Sequence, residues 1–355
     1  IPIIHLIEKA GVGQGVQAIV MVPTHELAIQ ITEVFDKLAK YTSVTTLGIY
    51  GGVDQDPQIE KLHQGVDIVI ATPGRVFDLV NQGYLKLREI KVLVLDEADL
   101  MLDLGFYKDI EDLIKYLPRH RQTLFFSATI NEKIKKLAYS IVRNAIRIQI
   151  SPKDPVSKNV THSVMFVSMD DKRFFLERIV NENPESRILV FVRTKVRAER
   201  VYEAMNRVGI KSQTMHGGKD QENRLEVMNG FKNGDFKLLI ATDISARGVD
   251  IANVDYVVNY DLPDVAEIYV HRVGRTGRGN NKGVAVSFCS PEEKPVLDEI
   301  ESFMDKKVTV LSVDKADYSE TLALTEDVND NWKKLIADAE KEDNAYKGKK
   351  KKNKK

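Results

Sequence analysis

The sequence predicts an α/β fold made of two similar units in tandem, each a parallel sheet flanked by helices. Three features of the 355 residues carry that prediction. Apolar runs of strand length alternate with amphipathic helical stretches, the alternation starts again in the second half, and Ser151-Pro152-Lys153-Asp154-Pro155 breaks both patterns between them. Expected strands in the first half are residues 17–22, 46–50, 67–71, 92–95, 123–126 and 146–150. The run Val92-Leu93-Val94-Leu95 is apolar throughout, as expected of a strand covered on both faces. Between strands, residues 26–40 place Leu27, Ile31, Val34, Phe35 and Leu38 at core-facing helical spacing. The second series has strands at 163–167, 188–191, 212–215, 238–241, 256–259 and 284–288, with helices at 195–208 and 221–233. The chain divides into a first α/β domain at 1–150, a linker at 151–160, a second domain at 161–315 and a polar, Lys-rich tail at 316–355. Residues 330–344 read as a short helix in that tail, and 347–355 as a low-complexity basic end that cannot bury a core.

Composition narrows the function classes. Lys and Arg number 52 and Asp and Glu number 52, so nucleic-acid binding has to come from local patches and backbone donors, not from a global basic field. The single cysteine, Cys289, adjoins the apolar run 284–288 and reads as a small buried hydrophobe. One cysteine allows no internal disulfide. With no secretory signal at Ile1 and no run apolar enough to span a bilayer, a cytoplasmic protein that avoids membranes is expected. Residues 2–8 read as the middle of an amphipathic helix with neither a cap nor a preceding strand. Gly11-Val12-Gly13-Gln14-Gly15 lacks the Lys of a phosphate loop and precedes a strand, so it reads as an ordinary loop; G-x-x-x-x-G-K-[ST] occurs nowhere.

Chemistry concentrates at four places. Asp96-Glu97-Ala98-Asp99 follows the run 92–95, and the carboxyl end of a parallel strand is where open α/β sheets bind ligands. Two adjacent carboxylates there suit a nucleotide site, one holding Mg²⁺ and the other polarising water. Ser127-Ala128-Thr129 ends the next strand with short hydroxyls that bridge loops. The stretch Ala241 to Ile251 follows a third strand end. His271-Arg272-Val273-Gly274-Arg275-Thr276-Gly277-Arg278 interleaves three arginines with two glycines. Packing does not explain that pattern, because Arg is rarely buried unpaired and glycine admits a phosphate close to the backbone.

This ordered set resembles the DEAD-box RNA helicases over residues 1–313. The resemblance implies two RecA-like domains that close on ATP and RNA, with the first incomplete at its start. In the family a phosphate loop stands upstream of a helix like 2–8. The chain is therefore expected to begin after that loop, to lack a strand central to its first sheet, and to hydrolyse ATP poorly by itself. By resemblance Asp96 holds Mg²⁺ through water, Glu97 acts on the attacking water, and Asp99 links this site to the facing domain. Ser127 and Thr129 couple nucleotide state to RNA opening. His271 aligns the carboxylate and water, and Arg275 and Arg278 reach the γ-phosphate. Gly248 permits a tight turn, Asp250 accepts from the ribose, Thr242 and Arg247 lie near RNA or the domain interface, and Asp243 pairs with a neighbouring Arg. The implied RNA track is Thr24, His25, Gly51, Gly52, Thr72, Gly74 and Arg75 in the first domain, and Arg193, Thr194, Gly218, Gln221, Arg224, Thr242 and Arg247 in the second. Each also has a plainer reading, with Thr24 and Thr72 as helix N-caps and Gly51-Gly52 as an ordinary turn. The family usually has Arg where this chain has His25, which is a weaker and pH-sensitive phosphate partner.

The implied activity is ATP-dependent, sequence-independent local unwinding of RNA by a monomer, with ribosomal or RNA-decay proteins as partners. The continuation past Phe288 and the basic end are similar to the bacterial RhlE-like branch. A DNA helicase on the same scaffold and a non-catalytic RNA-binding fragment are the competing readings. The seven lysines of residues 347–355 read as an RNA tether. Deleting them is expected to flatten the salt dependence of RNA binding by a slope of at most about 5 on single strands, read from affinities across a salt series; an unchanged slope dismisses the tether.

Overall fold

The structure is a computed structural model that describes residues 1–13, 15–149, 156, 158–246, 251, 254–277, 281–312 and 315–326. The first lobe runs α1 (Pro2–Ala10), β1 (Ala18–Met21), α2 (His25–Ala39), β2 (Thr46–Ile49), α3 (Asp56–Gln64), β3 (Ile68–Ala71), α4 (Pro73–Asn81), β4 (Val92–Leu95), α5 (Ala98–Asp103), α6 (Tyr107–Tyr116), β5 (Gln122–Phe125) and α7 (Glu132–Ile141). The second runs β6 (Val160–Phe166), α8 (Lys172–Glu182), β7 (Ile188–Phe191), α9 (Lys195–Arg207), β8 (Ser212–Met215), α10 (Gln221–Asn233), β9 (Leu238–Ala241), α11 (Asp243–Ala246), β10 (Tyr256–Asn259), α12 (Ala266–Val273), β11 (Gly283–Cys289), α13 (Lys294–Met304), β12 (Thr309–Val310) and α14 (Lys315–Glu326).

Among the described residues the first sheet has the order β2-β3-β1-β4-β5 and the second β12-β6-β11-β10-β7-β9-β8, every pair parallel. A parallel sheet needs cover on both faces, and period-two alternation supplies it. On one face of the first sheet Ala18, Val20, Ile68, Ile70, Val92 and Val94 pack with Ile4 and Ile7 of α1 and Ala28 of α2. On the other, Ile19, Met21, Val69, Leu93 and Leu95 pack with Leu79, Ile110 and Leu137. The second sheet repeats the arrangement, with Leu189, Leu239 and Val257 under α10, α12 and α13, and Ile188, Ile240 and Val258 under α8 and α9. Helix starts are chemically marked: Thr24, Asn131, Thr194 and Asp220 each accept a hydrogen bond from the backbone N–H three residues on.

Two expectations fail. Residues 145–149 form no strand, and Ile146 and Ile148 are 87% and 82% exposed, because their period-two pattern finds no partner strand among the described residues. In α2 the covered stripe is Leu27, Ile31 and Phe35, at i, i+4 and i+8; Val34 and Leu38 lie one step around the helix and are exposed. The edge strand β12 and the helix α14, which packs Tyr318 on Phe175 and hydrogen-bonds Thr321 to Arg178, were not read from the sequence. Cys289 is fully buried, and burial pushes its thiol up to about 11, in keeping with an inert hydrophobe. The linker stretch 151–155, the expected helix at 330–344 and the end 347–355 lie outside the described residues.

A buried ion cluster fixes the loops of the second lobe. The Lys172 Nζ is 2.5 Å from Glu293 Oε2 and 3.7 Å from Asp261 Oδ1, with all three side chains almost wholly buried. Glu293 also accepts from the backbone of Ser290 and Leu262, and Asp261 from the backbone of Arg193. Lys172→Met would remove the central cation and leave Glu293 to Arg193 at 3.6 Å and Asp261 to Arg197 at 3.2 Å, at a cost of about 1.5–3 kcal/mol. Urea unfolding should register that loss, and a change below about 1 kcal/mol would mean the cluster is solvated.

Candidate nucleotide and RNA site at the carboxyl ends of the sheets

The acidic motif continues β4 directly. The Asp96 N–H donates to the Met21 carbonyl at 3.0 Å, extending the ladder by one bond, and Asp96 Oδ1 then accepts from the Glu97 N–H at 3.0 Å. Glu97 stands in the left-handed region at φ 50°, at the N-cap of α5. A non-glycine residue there costs about 1–2 kcal/mol and is held by bonds on both sides, Ala98 N–H to Phe126 O and Met101 N–H to Glu97 O. Burial pushes the Asp96 carboxyl above its ordinary range, the Glu97 N–H opposes this, and the Asp99 charge adds to it.

Asp99 is buried, and its Oδ2 accepts from both the N–H and the hydroxyl of Thr129, at 3.0 and 2.9 Å. Ser127 Oγ donates to the Thr129 carbonyl at 2.7 Å. The acidic motif and the Ser-Ala-Thr motif are thus one hydrogen-bonded unit on neighbouring strands. The partners of Asp99 among the described residues are in its own lobe, because β4 and β5 are adjacent.

In the second lobe Arg272 is 2% exposed. It makes a bidentate pair with Asp243, Nε to Oδ1 at 2.6 Å and Nη2 to Oδ2 at 2.8 Å, and donates from Nη1 to Asn259 Oδ1 and the Asp261 carbonyl. Asp243 has the arginine partner expected of it. Packing does explain this one of the three arginines, so the sequence argument held too broadly. It also held too broadly for glycine. Gly277 has φ +64°, and a Cβ there would meet Val160 at 2.4 Å and the Asn159 carbonyl at 3.1 Å, so its role is to fit the turn against β6. His271 and Arg275 are half-buried at the end of α12. Arg278, Arg247, Gly248 and Asp250 lie outside the described residues.

Four of the remaining candidates, His25, Gly52, Gln221 and Arg224, gather where the lobes meet. His25 Nδ1 is 3.2 Å from Gln221 Oε1, and Arg224 Nη2 is 3.0 Å from Glu26 Oε1. His25 and Glu26 follow the carboxyl end of β1, and Gln221 and Arg224 follow that of β8, so the carboxyl edges of the two sheets face each other here. The Glu26–Arg224 contact is close, but its angles do not make a hydrogen bond, and both Glu26 oxygens and Gln221 Nε2 are buried without one. Arg75 Nη2 donates to the Val53 carbonyl at 2.8 Å, beside the Gly51-Gly52 turn. Gly74 has open space around it. Thr24 and Thr194 cap their helices, while Thr72 occupies the N-cap of α4 without a capping bond. Arg193 is tied to Asp264, Leu262 O and Glu293, and Thr242 lies 3.5 Å from Ser245 Oγ. The Gly218 N–H donates to Nδ1 of His216, whose Nε2 bonds Glu199 at 2.6 Å; that clamp was missed, since nothing in the spacing of Glu199 and His216 announces it.

Comparison with known proteins fits this geometry. The family model for DEAD/DEAH box helicases matches residues 1–137, and that for the helicase conserved C-terminal domain matches 171–280. The ATP-dependent RNA helicase RhlB of Shewanella sp. is 40% identical over 84% of this chain and 69% of its own length. The chain belongs to the DEAD-box helicases. Among solved structures, S. cerevisiae Dbp5 bound to RNA and ADP BeF3 matches with a TM-score of 0.80 at 30% identity, covering 92% of this chain and 84% of that one. A Dbp5 variant bound to Nup159, Gle1, IP6 and ADP matches with a TM-score of 0.57, also at 30% identity, covering 88% and 82%. These relatives give the RhlE-like branch no specific support.

In this DEAD-box helicase no cluster of three or more His, Cys, Asp or Glu that would cage a metal occurs among the described residues. Mg²⁺ needs no such cluster, being held by one or two carboxylates together with water and substrate phosphates. Asp96 fits as such a ligand: its carboxylate is half-buried and raised in pKa, and a nearby cation would restore the charged form. With a raised folded pKa, the ionised Asp96 costs stability that is absent in acid and grows as pH rises through the shifted value. Asp96→Asn is therefore expected to raise the thermal midpoint of the nucleotide-free protein at pH 7, with the gain vanishing in acid. Calorimetry across pH checks this, and a midpoint lowered at pH 7 counts against it.

Proposed function

We propose that the protein is an ATP-dependent RNA helicase that opens short RNA duplexes locally or remodels RNA–protein complexes. One observation carries the reading: both lobes together fit Dbp5 bound to RNA and ADP BeF3 with a TM-score of 0.80, above the 0.70 of a Dbp5 variant bound to Gle1 and IP6 and the 0.57 of one bound to Nup159, Gle1, IP6 and ADP, at 30–31% identity and similar coverage. The placement here, with carboxyl edges facing, is the one that would enclose a nucleotide and a single strand.

In this reading Asp96 would hold Mg²⁺, and the ion would supply neutralisation of phosphate charge. Glu97 orients and deprotonates the attacking water, and its fixed left-handed backbone sets where the carboxylate can stand. His271 and Arg275 would act on the same triphosphate from the second lobe, a role the family resemblance also gives Arg278. Asp99 and Thr129 pass the nucleotide state from β4 to β5 through two hydrogen bonds. RNA runs along the carboxyl edges, gripped at its phosphates and 2′-hydroxyls, so binding favours RNA over DNA without reading sequence. ATP and RNA both favour closure, so each tightens the other. The protein acts as a monomer in the cytoplasm.

Glu97→Gln in the full-length protein is expected to lower RNA-stimulated ATP turnover about 10²–10⁴-fold, with nucleotide-dependent RNA binding retained. Steady-state turnover and equilibrium binding separate the two effects. Equal stimulation by DNA and RNA would favour a DNA translocase on the same scaffold, and undiminished turnover in the variant would remove Glu97 from the chemistry.

A further inference from the structure

The seam between the lobes contains an ionisable imidazole. His25 is half-buried, with Nδ1 against Gln221 Oε1 at 3.2 Å. Because Oε1 accepts, Nδ1 donates, and the neutral ring carries its bare nitrogen at Nε2. That face rests on the Gly51-Gly52 turn: a Cβ at Gly51 would come within 3.6 Å of Nε2, and one at Gly52 within 3.5 Å of Cε1. The same Cβ at Gly52 would also stand 3.6 Å from Gln221 Cβ, so glycine lets the turn, the imidazole and the facing glutamine share one space. Tyr50 of β2 lies beside the ring, with centroids 6.0 Å apart.

The surrounding charges come from three helices. Glu26 of α2 favours a proton on His25, whereas Arg224 of α10 and Arg75 of α4 oppose one. Glu26 is 1% exposed and already paired with Arg224. Burial is the largest influence and holds the imidazole below its ordinary value. A proton added at Nε2 would face the Gly51-Gly52 turn, where Nε2 makes no hydrogen bond among the described residues.

We propose that His25 is a positioning residue that acts through Gln221, and that its neutral form is the one that lets the lobes close, so that closure and RNA capture weaken in acid. The inference rests on the RNA-helicase reading above. In the open form His25 meets water and titrates at about 6.5. Closing puts it in the seam, where the second proton is lost. Closure therefore becomes harder as pH falls below that value, by up to about tenfold per pH unit. The Nδ1 donor persists in both forms; the charge, half-buried beside two guanidinium groups, is what opposes closure.

The test uses the full-length protein with a dye on each lobe, a non-hydrolysable ATP analogue and fluorescent single-stranded RNA, at pH 7.5 and 5.5. His25→Asn keeps an amide near the Nδ1 position and does not titrate. With each protein normalised to its own pH 7.5 value, wild-type closure and RNA affinity should fall about tenfold further than those of the variant. A wild-type profile no steeper than that of His25→Asn overturns the proposal. Should the variant not close at pH 7.5, NMR titration of the wild-type His25 ring decides: its pKa must drop when RNA and nucleotide are added, and an unchanged value overturns the proposal. Wild-type protein that fails to bind RNA even at pH 7.5 would instead overturn the helicase reading.

Discussion

Every strand pair in the two sheets runs parallel, and the rest of the molecule follows from that constraint. Parallel strands all end at the same edge, so the loops that follow β1, β4 and β5 collect on one side of the first lobe. Those following β7, β8, β9 and β10 collect on one side of the second. Polar side chains in these loops need no place in the core, which the alternating apolar residues fill from both faces. The contacts of Glu26 with Arg224 and of His25 with Gln221 turn the two edges toward each other.

Two buried charge clusters hold the loops in place. Lys172, Glu293 and Asp261 secure the segments after β7, β10 and β11, and Arg272 ties Asp243 to Asn259 and the Asp261 carbonyl. Ion pairs of this kind are poor sources of net stability, since desolvation offsets most of the attraction. Their value lies in geometry. Each fixes backbone groups from several strand ends with bonds that fail if any one of them shifts. Both clusters pass through Asp261, by its side chain in one and its carbonyl in the other, so the two are set relative to each other.

The fold was legible wherever a strand is buried on both faces: Val92–Leu95, Ile188–Phe191 and Leu238–Ala241 have the bounds their apolar runs indicate. Periodicity misled at 146–150 and in α2 at Val34 and Leu38, because a pattern shows which side chains could face a core but not whether anything covers them. The acidic and Ser-Ala-Thr motifs were legible as neighbours, since adjacent strand ends put them together. The partner of Asp99 was not, because sequence order does not say which lobe a carboxylate addresses. Arg272 was hidden inside a motif whose other arginines invite a functional reading. The His216–Glu199 clamp joins a loop to a helix through a pairing that only the folded backbone creates.

The tight fit of Gly277 against Asn159 and Val160 reaches beyond its own turn. Val160 opens β6 and Asn159 precedes it, where the chain enters the second sheet, and the Asn159 carbonyl also receives the Gly283 N–H at 2.9 Å. The arginine-bearing turn and the entry point are therefore built as one joint. A chimera that exchanges lobes between relatives must place its junction before Asn159, or it will separate surfaces that were shaped against each other.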